Sequence, residues 1–520
     1  LAETYLPAFE ACVKEAGVEG VMGGYNLLNG EACCGSYHMI SEILRKEWGF
    51  DGYYVSDCGA IKDFHMHHCL TATPQESAAL ALKSGCDLNC GNVYLHIMSA
   101  YQQGLVNEAD IDKAAGHVMM TRMRLGMFDD HTEYDGIAYE ANDTQENHLL
   151  ALKAAEKSMV LLKNDGVLPI DRNAVYSLAV IGPNADSDEI LKGNYNGTAT
   201  ETYTILEGIR QAAGEKTRIY YSEGCHLYRD NVENLAAPDD RISEAVSMAE
   251  RSDVVLLCLG LNGSLEGEEG DANNSYAGAD KDSLALPDSQ MRLMEAVCST
   301  GKPVVLLLST GSAMAISYAE EHCRAILQVW YPGQMGGRAA GRLLFGDSAP
   351  SGKLPVTFYR TTEELPPFTD YYMKNRTYRY MEKEALYPFG YGLSYGKAFY
   401  DKIEIFGNAL AVGGSLQVKA RVQNQSEFSR DEVVQVYVKI TGTQWAVPNF
   451  SLVDFKCIAL EAGEEKTIKF AIPPAAFLVV DEDGGRVSHG GTAILYVGGS
   501  QPDSRSIALT GMEPLSIKVY

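Results

Sequence analysis

Apolar positions along the first 124 residues switch between two spacings. Residues 1–16 and SYHMISEILRKEW (36–48) carry them three and four apart and predict helices, whereas VEGVMGGYN (18–26) and GYYVSD (52–57) predict buried strands. A helix at 74–84, a short strand at CDLNC (86–90) and two helices through 124 continue the series. Strands alternating with helices predict a parallel sheet or a barrel. After the polar stretch 129–145, a second α/β series opens with a helix over ENHLLALKAAEKSMVLLKN. Its strands are LAVIG (178–182), DVVLLCLG (253–260), PVVLLLS (303–309) and AILQVWY (325–331), continuous apolar runs of the kind covered on both faces. Helices near 203–213, 240–251, 288–299 and 335–345 fill the connections and predict a doubly covered sheet. From 361 to 396 the chain is rich in Pro, Tyr and Gly and reads as an ordered connection. In the last 120 residues SLQVKARVQNQ, EVVQVYVKI, EKTIKFAIP and TAILYVGG alternate apolar and polar positions, the pattern of a β-sandwich of about seven strands. The fold class is therefore multidomain α/β plus all-β, with segments 1–130, a linker 131–150, 151–360, a connection 361–400 and 401–520.

Composition narrows the function classes. A chain of 520 residues exceeds a single core, and the usual domain size predicts about three. There are 43 basic and 69 acidic side chains, a formal net charge of −26, which repels nucleic acid and anionic membrane surfaces and suits a neutral ligand such as a glycan. No apolar run is long enough to cross a bilayer. Twelve cysteines without regular spacing, two of them adjacent (Cys33 and Cys34), argue against a disulfide scaffold and a paired zinc motif. Reduced thiols and a cytoplasmic location are the simpler expectation, with a secreted or periplasmic one left open. The opening residues form an amphipathic pattern without a basic leader.

Two acidic positions carry candidate chemistry. Asp57 ends an apolar strand and precedes a Cys-Gly-Ala loop, the rim position at which β/α barrels keep catalytic groups. Ser56 and Asp57 equally fit a helix N-cap. GSLEGEEGDANN (263–274) follows the strand ending near Gly260 and offers Glu266, Glu268 and Glu269 as a general acid on a glycine-spaced loop, or a solvated acidic loop. Two carboxylates suffice for a retaining glycosidase, one attacking the anomeric carbon, the other protonating the leaving oxygen and then activating water. FHMHHC (64–69) has metal-ligand residue types but no partner at a zinc spacing, and VIGPNADSD (180–188) lacks the repeated glycines of a nucleotide fingerprint, so neither metal nor nucleotide is assigned.

Taken in order, the stretches VMGGYNLLNG (21–30), LRKEWGFDGYYVSDCGAI (44–61), CDLNCGNVY (86–94), LLKNDGVLPI (161–170), GNYNGT (193–198), YPGQMGG (331–337), LLFGDSAPSGKLPVTF (343–358) and YPFGYGLSY (387–395) resemble glycoside hydrolase family 3. GPNAD (182–186), EVVQVYVK (432–439) and YVGGS (496–500) extend the likeness to nearly the whole chain. The resemblance implies a (β/α)8 barrel, here partial, an α/β sandwich and a C-terminal fibronectin type III-like β-sandwich. It also implies a retaining exo-β-glycosidase that releases a nonreducing terminal sugar and needs no cofactor. The family's V-S-D motif carries the nucleophile to Asp57, and its S-x-E-G match selects Glu266 as acid/base. Its M-x-x-Y pattern places Met22 and Tyr25 around the sugar. Cys58 stands where glucosidase-like members have tryptophan, and with D-L-N-C-G downstream it resembles the xylosidase-like branch, whose pocket is smaller. Xylose is thus the expected sugar and glucose the alternative, with Tyr195 expected as a wall of the same pocket. A noncatalytic carbohydrate-binding or assembly subunit is the reading from another class. Only about three of eight barrel strands are present, and the family's upstream sugar-binding motifs are absent from these residues. The resemblance therefore implies dependence on an N-terminal barrel portion, continuous or on another chain, and leaves homo-oligomerisation open.

Overall fold

The computed structural model describes residues 1–267, 281, 283–407 and 415–519, so the alternative candidates Glu268 and Glu269 lie outside the described residues. The chain divides into two compact units, Leu1–Ala141 with Val480–Arg486, and Asn142–Val479 with Val487–Tyr520.

In the first unit, helix α1 (Leu6–Lys14) precedes strand β1 (Gly20–Gly23). Helix α2 (His38–Glu47) follows, then strand β2 (Tyr53–Ser56). Helices α3 (Pro74–Ser84), α4 (Ile97–Gln102) and α5 (Glu108–Arg124) complete the series. Strands β1 and β2 pair in parallel, with Met22 opposite Val55 and Gly23 opposite Ser56. The strand expected at 86–90 is reduced to a single parallel bridge, Val55 to Leu88. Helix α3 has the bounds the pattern predicts because its ends are marked. Thr73 and Glu76 form a reciprocal cap, Pro74 opens the first turn, and Gly85 takes the left-handed conformation (φ 107°) that ends it. Helix α2 differs from expectation in its winding. It is a π-type helix, with Trp48 N–H bonded to Ile43 O at 3.0 Å. Ile40 and Leu44 still turn inward, onto Phe50, Tyr54, Ile61 and Phe64.

In the second unit the helix expected through 164 stops early. Helix α6 (Gln145–Ser158) ends where Met159 becomes extended, and Val160–Asn164 form strand β3. The Val-Leu-Leu run is buried in the sheet, which outweighs the helical spacing it continues. Then come β4 (Ser177–Ile181), α7 (Ile205–Ala213), β5 (Arg218–Ser222) and α8 (Ile242–Glu250). The series ends with β6 (Val254–Gly260), α9 (Asp288–Cys298), β7 (Val304–Ser309), β8 (Ala325–Gln328) and α10 (Gly336–Leu344). The sheet order is β3-β8-β7-β6-β4-β5, parallel except for the β3–β8 pair. Every residue of β6, β7 and β8 is buried, and successive side chains enter opposite cores. Val255, Leu257 and Leu259 pack with Leu306 and Leu308, whereas Val254, Leu256 and Cys258 pack with Val305 and Leu307. Helices α7 and α10 cross with their backbones touching: a Cβ on Gly208 would sit 1.7 Å from Gly337 O, and one on Gly337 1.9 Å from Thr204 O.

The remainder of this unit is a β-sandwich. One sheet joins β9 (Ala398–Phe406), β10 (Leu416–Asn424) and β13 (Glu465–Ile472); the other joins β12 (Ser451–Leu460), β11 (Arg430–Thr441), β14 (Thr492–Gly498) and β15 (Leu515–Val519). Among the described residues this gives the seven strands expected. Strand β10 alternates buried and turned-out positions, with Val418, Ala420 and Val422 facing Val434, Val436 and Leu495 across the sandwich.

Candidate functional site

The predicted residues of the first unit gather at the carboxyl end of β2. Asp57 N–H donates to Gly23 O at 2.9 Å, so the pairing of β1 with β2 continues one residue past the strand and fixes where the Asp57 side chain leaves the backbone. Its Oδ1 accepts from the Cys58 N–H at 2.7 Å. Ser56 is not a helix cap. Its hydroxyl accepts from the Cys90 N–H and the Asn89 amide, each at 3.0 Å. With Ser56 N–H to Leu88 O (2.9 Å) and Gly59 N–H to Cys90 O (2.7 Å), these bonds lace 88–90 onto 56–59. The lacing brings Cys58 and Cys90 together as a disulfide, which corrects the expectation of reduced thiols at these two positions. A separation of 32 residues carries no spacing signal; the pairing of 88–90 with 56–59 makes them neighbours.

Met22 and Tyr25 lie beside this corner, 58% and 43% exposed. The Tyr25 hydroxyl donates to Cys58 O at 2.9 Å and so braces the backbone of the residue after Asp57. Beneath the strand, Asp87 is 8% exposed and was not singled out by its motif. Its carboxylate accepts from Arg45 Nη2 (2.6 Å) and the Tyr54 N–H (2.8 Å), and it pairs with His117 Nδ1 (2.8 Å). Asp87 thereby ties α2, β2 and α5 together below the rim. Two histidines of FHMHHC go to separate neighbours, His65 to Ser77 (2.9 Å) and His67 to Asp63 (2.8 Å), and the third, His68, stacks on Phe64.

The second unit presents a separate polar cluster at the carboxyl ends of β6, β7 and β8, the edge at which parallel sheets bind ligands. Gly260 closes β6 at φ 138°, where a Cβ would sit 2.0 Å from Ser309 O, so only glycine fits. Gln290 holds this end from the side, accepting from Gly260 N–H (2.8 Å) and donating to Gly260 O (2.7 Å). The chain then makes one tight turn, with Leu265 and Glu266 N–H both bonded to Asn262 O at 3.0 Å. Leu265 points into the core and Glu266 away from it.

Glu266 is held from three sides. The Gly311 N–H donates to Oε2 at 2.6 Å, the Ser312 and Tyr331 hydroxyls donate to the same carboxylate, and Lys281 Nζ lies 3.1 Å from Oε1. Burial raises the pKa of this carboxyl, but the Lys281 ammonium, the two hydroxyls and the amide outweigh it and hold the group below its ordinary value. The Tyr331 phenol is pushed well up by burial and by the adjacent carboxylate, so it stays a donor. Tyr195, 82% exposed, sits on the GNYNG turn, whose Gly193 and Asn194 backbone lies against Gly263 at 3.5–3.6 Å from its ideal Cβ. It is therefore on the Glu266 side of the second unit. Lys281, Ser312 and Tyr331 were not predicted.

Comparison with known proteins agrees with this layout. Residues 1–121 match the glycosyl hydrolase family 3 N terminal domain, 159–395 the glycosyl hydrolase family 3 C-terminal domain and 432–501 a fibronectin type III-like domain. A beta-xylosidase of Formosa agariphila is 33% identical over 98% of this chain and 72% of its own length. Among solved structures, a b-glucosidase of Erythrobacter marinus superposes with a TM-score of 0.86 at 31% identity, over 99% of this chain and 69% of that one. A GH3 exo-beta-xylosidase in complex with a xylobiose aziridine probe superposes with a TM-score of 0.88 at 26% identity, over 100% of this chain and 68% of that one. The sequence motifs, the two α/β units and the β-sandwich agree with these matches: the chain belongs to glycoside hydrolase family 3 and is a hydrolase of glycosidic bonds.

Proposed function

We propose that this chain is the catalytic part of a retaining exo-β-glycosidase in which Asp57 is the nucleophile and Glu266 the acid/base, with terminal β-xylose as the favoured sugar. The observation that carries the reading is the contrast between the two carboxylates. Asp57 has one neighbouring amide on Oδ1 and stands at a strand end, as an attacking group requires. Glu266 sits among donors that fix its orientation, as a group that gives and then takes a proton requires. In the first step Asp57 attacks C1 while Glu266 protonates the departing oxygen; in the second Glu266 draws a proton from water, which displaces Asp57. Two inversions retain the configuration.

Leaving-group dependence tests the role of Glu266. Glu266→Ala is expected to cut kcat/KM about 10²–10⁴-fold on alkyl glycosides or disaccharides, the usual yield of general acid catalysis. Dinitrophenyl glycosides, which depart without a proton, should keep a near-normal first step. An equal loss on both substrate classes would remove Glu266 from the acid role.

Support for xylose comes from Cys58, a small residue pinned to Cys90 immediately after the nucleophile, with the Tyr25 hydroxyl bonded to its carbonyl. The S-D-C form at Cys58, with D-L-N-C-G downstream, resembles the xylosidase-like branch, whose sugar pocket is smaller for lack of a hydroxymethyl group. On aryl glycosides, kcat/KM for β-xyloside is expected to exceed that for β-glucoside; the reverse order would assign the pocket to glucose. The reading also includes a barrel portion beyond β1, β2 and the bridge at Leu88, since so few parallel strands do not close a barrel. Met119, Met120 and Met123 on α5 are exposed and offer it apolar surface.

A further inference from the structure

We propose that Lys281 and Tyr331 are positioning residues for Glu266, a clamp that keeps it an oriented carboxylate between turnovers and so limits how readily it delivers a proton to the leaving oxygen. The inference rests on the acid/base reading above and assigns roles to two residues outside its motif.

A general acid must carry a proton when substrate arrives, and groups that serve this way are commonly held in apolar surroundings that favour the neutral form. Glu266 is buried, yet its surroundings act in the opposite sense. Every hydrogen bond made to it comes from a donor: the Gly311 amide, the Ser312 hydroxyl and the Tyr331 hydroxyl. Lys281 adds a full positive charge at 3.1 Å. Its side chain is only 15% exposed and that of Glu266 9%, so water does little to screen the pair. Lys281 and Tyr331 are the titratable groups that face Glu266 among the described residues, and Ser312 and the Gly311 amide are neutral. Lys281 is itself held, donating to the Ser312 hydroxyl, which in turn donates to Glu266.

This arrangement serves the second chemical step, in which Glu266 must be an ionised base, and works against the first. The resting enzyme therefore loses its acid at lower pH than an unpaired glutamate would. Loss of Lys281 removes the charge that favours ionisation, and loss of the Tyr331 hydroxyl removes a hydrogen bond to the ionised form. Both changes raise the pH at which the proton is shed.

The experiment is the pH dependence of kcat/KM in active enzyme carrying Lys281→Met, Lys281→Arg or Tyr331→Phe, with Glu266→Ala as the reference. An alkyl glycoside and a dinitrophenyl glycoside of the same sugar are the probes. The alkaline limb with the alkyl glycoside is expected to move to higher pH in K281M and, by less, in Y331F, and to return toward wild type in K281R. With the dinitrophenyl glycoside the limb should not move in any of them. Should K281M not fold, Y331F, which keeps the ring, reads the same limb. If E266A shows the selective loss expected of an acid/base but neither K281M nor Y331F moves the limb, the clamp is overturned and the reading of Glu266 stands. If E266A shows no selectivity, the acid/base reading falls and takes the clamp with it.

Discussion

Asp57→Ala is expected to abolish turnover on every glycoside while leaving the protein folded. Removing the group proposed to form the glycosyl-enzyme should cost on the order of 10⁴-fold or more in kcat, and the loss should be the same for good and poor leaving groups. The structural cost is small. Asp57 is half-buried, and its carboxylate accepts a hydrogen bond from the amide of the next residue, worth about 1 kcal/mol. The backbone bond from Asp57 N–H to Gly23 O survives the substitution. Azide supplied to the variant can enter the space the carboxylate leaves and attack an activated β-glycoside from the same side. An α-glycosyl azide, identified by NMR, is the expected product. Full activity of the variant, or a β-configured adduct, would place the nucleophile elsewhere.

Asp87→Ala should fail in the opposite way, by unfolding. Asp87 lies 30 residues on, and its carboxylate is the common acceptor for Arg45, His117 and the Tyr54 amide. Its side chain is 2% exposed and that of Arg45 11%, so alanine leaves a guanidinium largely buried without its counter-charge. Breaking a buried pair by deleting one partner typically costs about 3–5 kcal/mol, a large part of a domain's stability. Chemical denaturation should show a lower midpoint for D87A, and any folded fraction should keep the wild-type leaving-group dependence, because Asp87 touches no reacting atom in the proposed mechanism. An unchanged midpoint would mean that the three donors find other partners.

The two residues also show what could be read from the chain. Asp57 was legible because it ends an apolar run, and β6 and β7 were legible because both their faces are covered and every position before the last is apolar. Strand β3 was hidden, since Val160 to Leu162 extend the spacing of the helix before them and only pairing with β8 decides otherwise. Strand β5, at the edge of the sheet, is half exposed and carries no continuous apolar signal. The role of Asp87 depends on residues 42 positions before it and 30 after, which no local pattern connects. One partner of Glu266 was within reach. Ser312 and Tyr331 each stand three residues beyond the end of a neighbouring parallel strand, β7 and β8, but only Ser312 could be counted forward from its apolar run, because AILQVWY reads as strand through Tyr331 itself. Lys281 would not have been found this way, because the sequence from Asn262 to Ser283 has no apolar run to count from.

The covalent link between Cys58 and Cys90 makes the history of a sample part of its chemistry. A glutathione-rich cytosol and an oxidising compartment or refolding buffer impose different thiol equilibria on the residue after Asp57, the proposed nucleophile. Two preparations of identical sequence can then differ in how tightly that corner is tethered. Free-thiol counts at these two positions belong beside any ranking of sugars obtained with this protein.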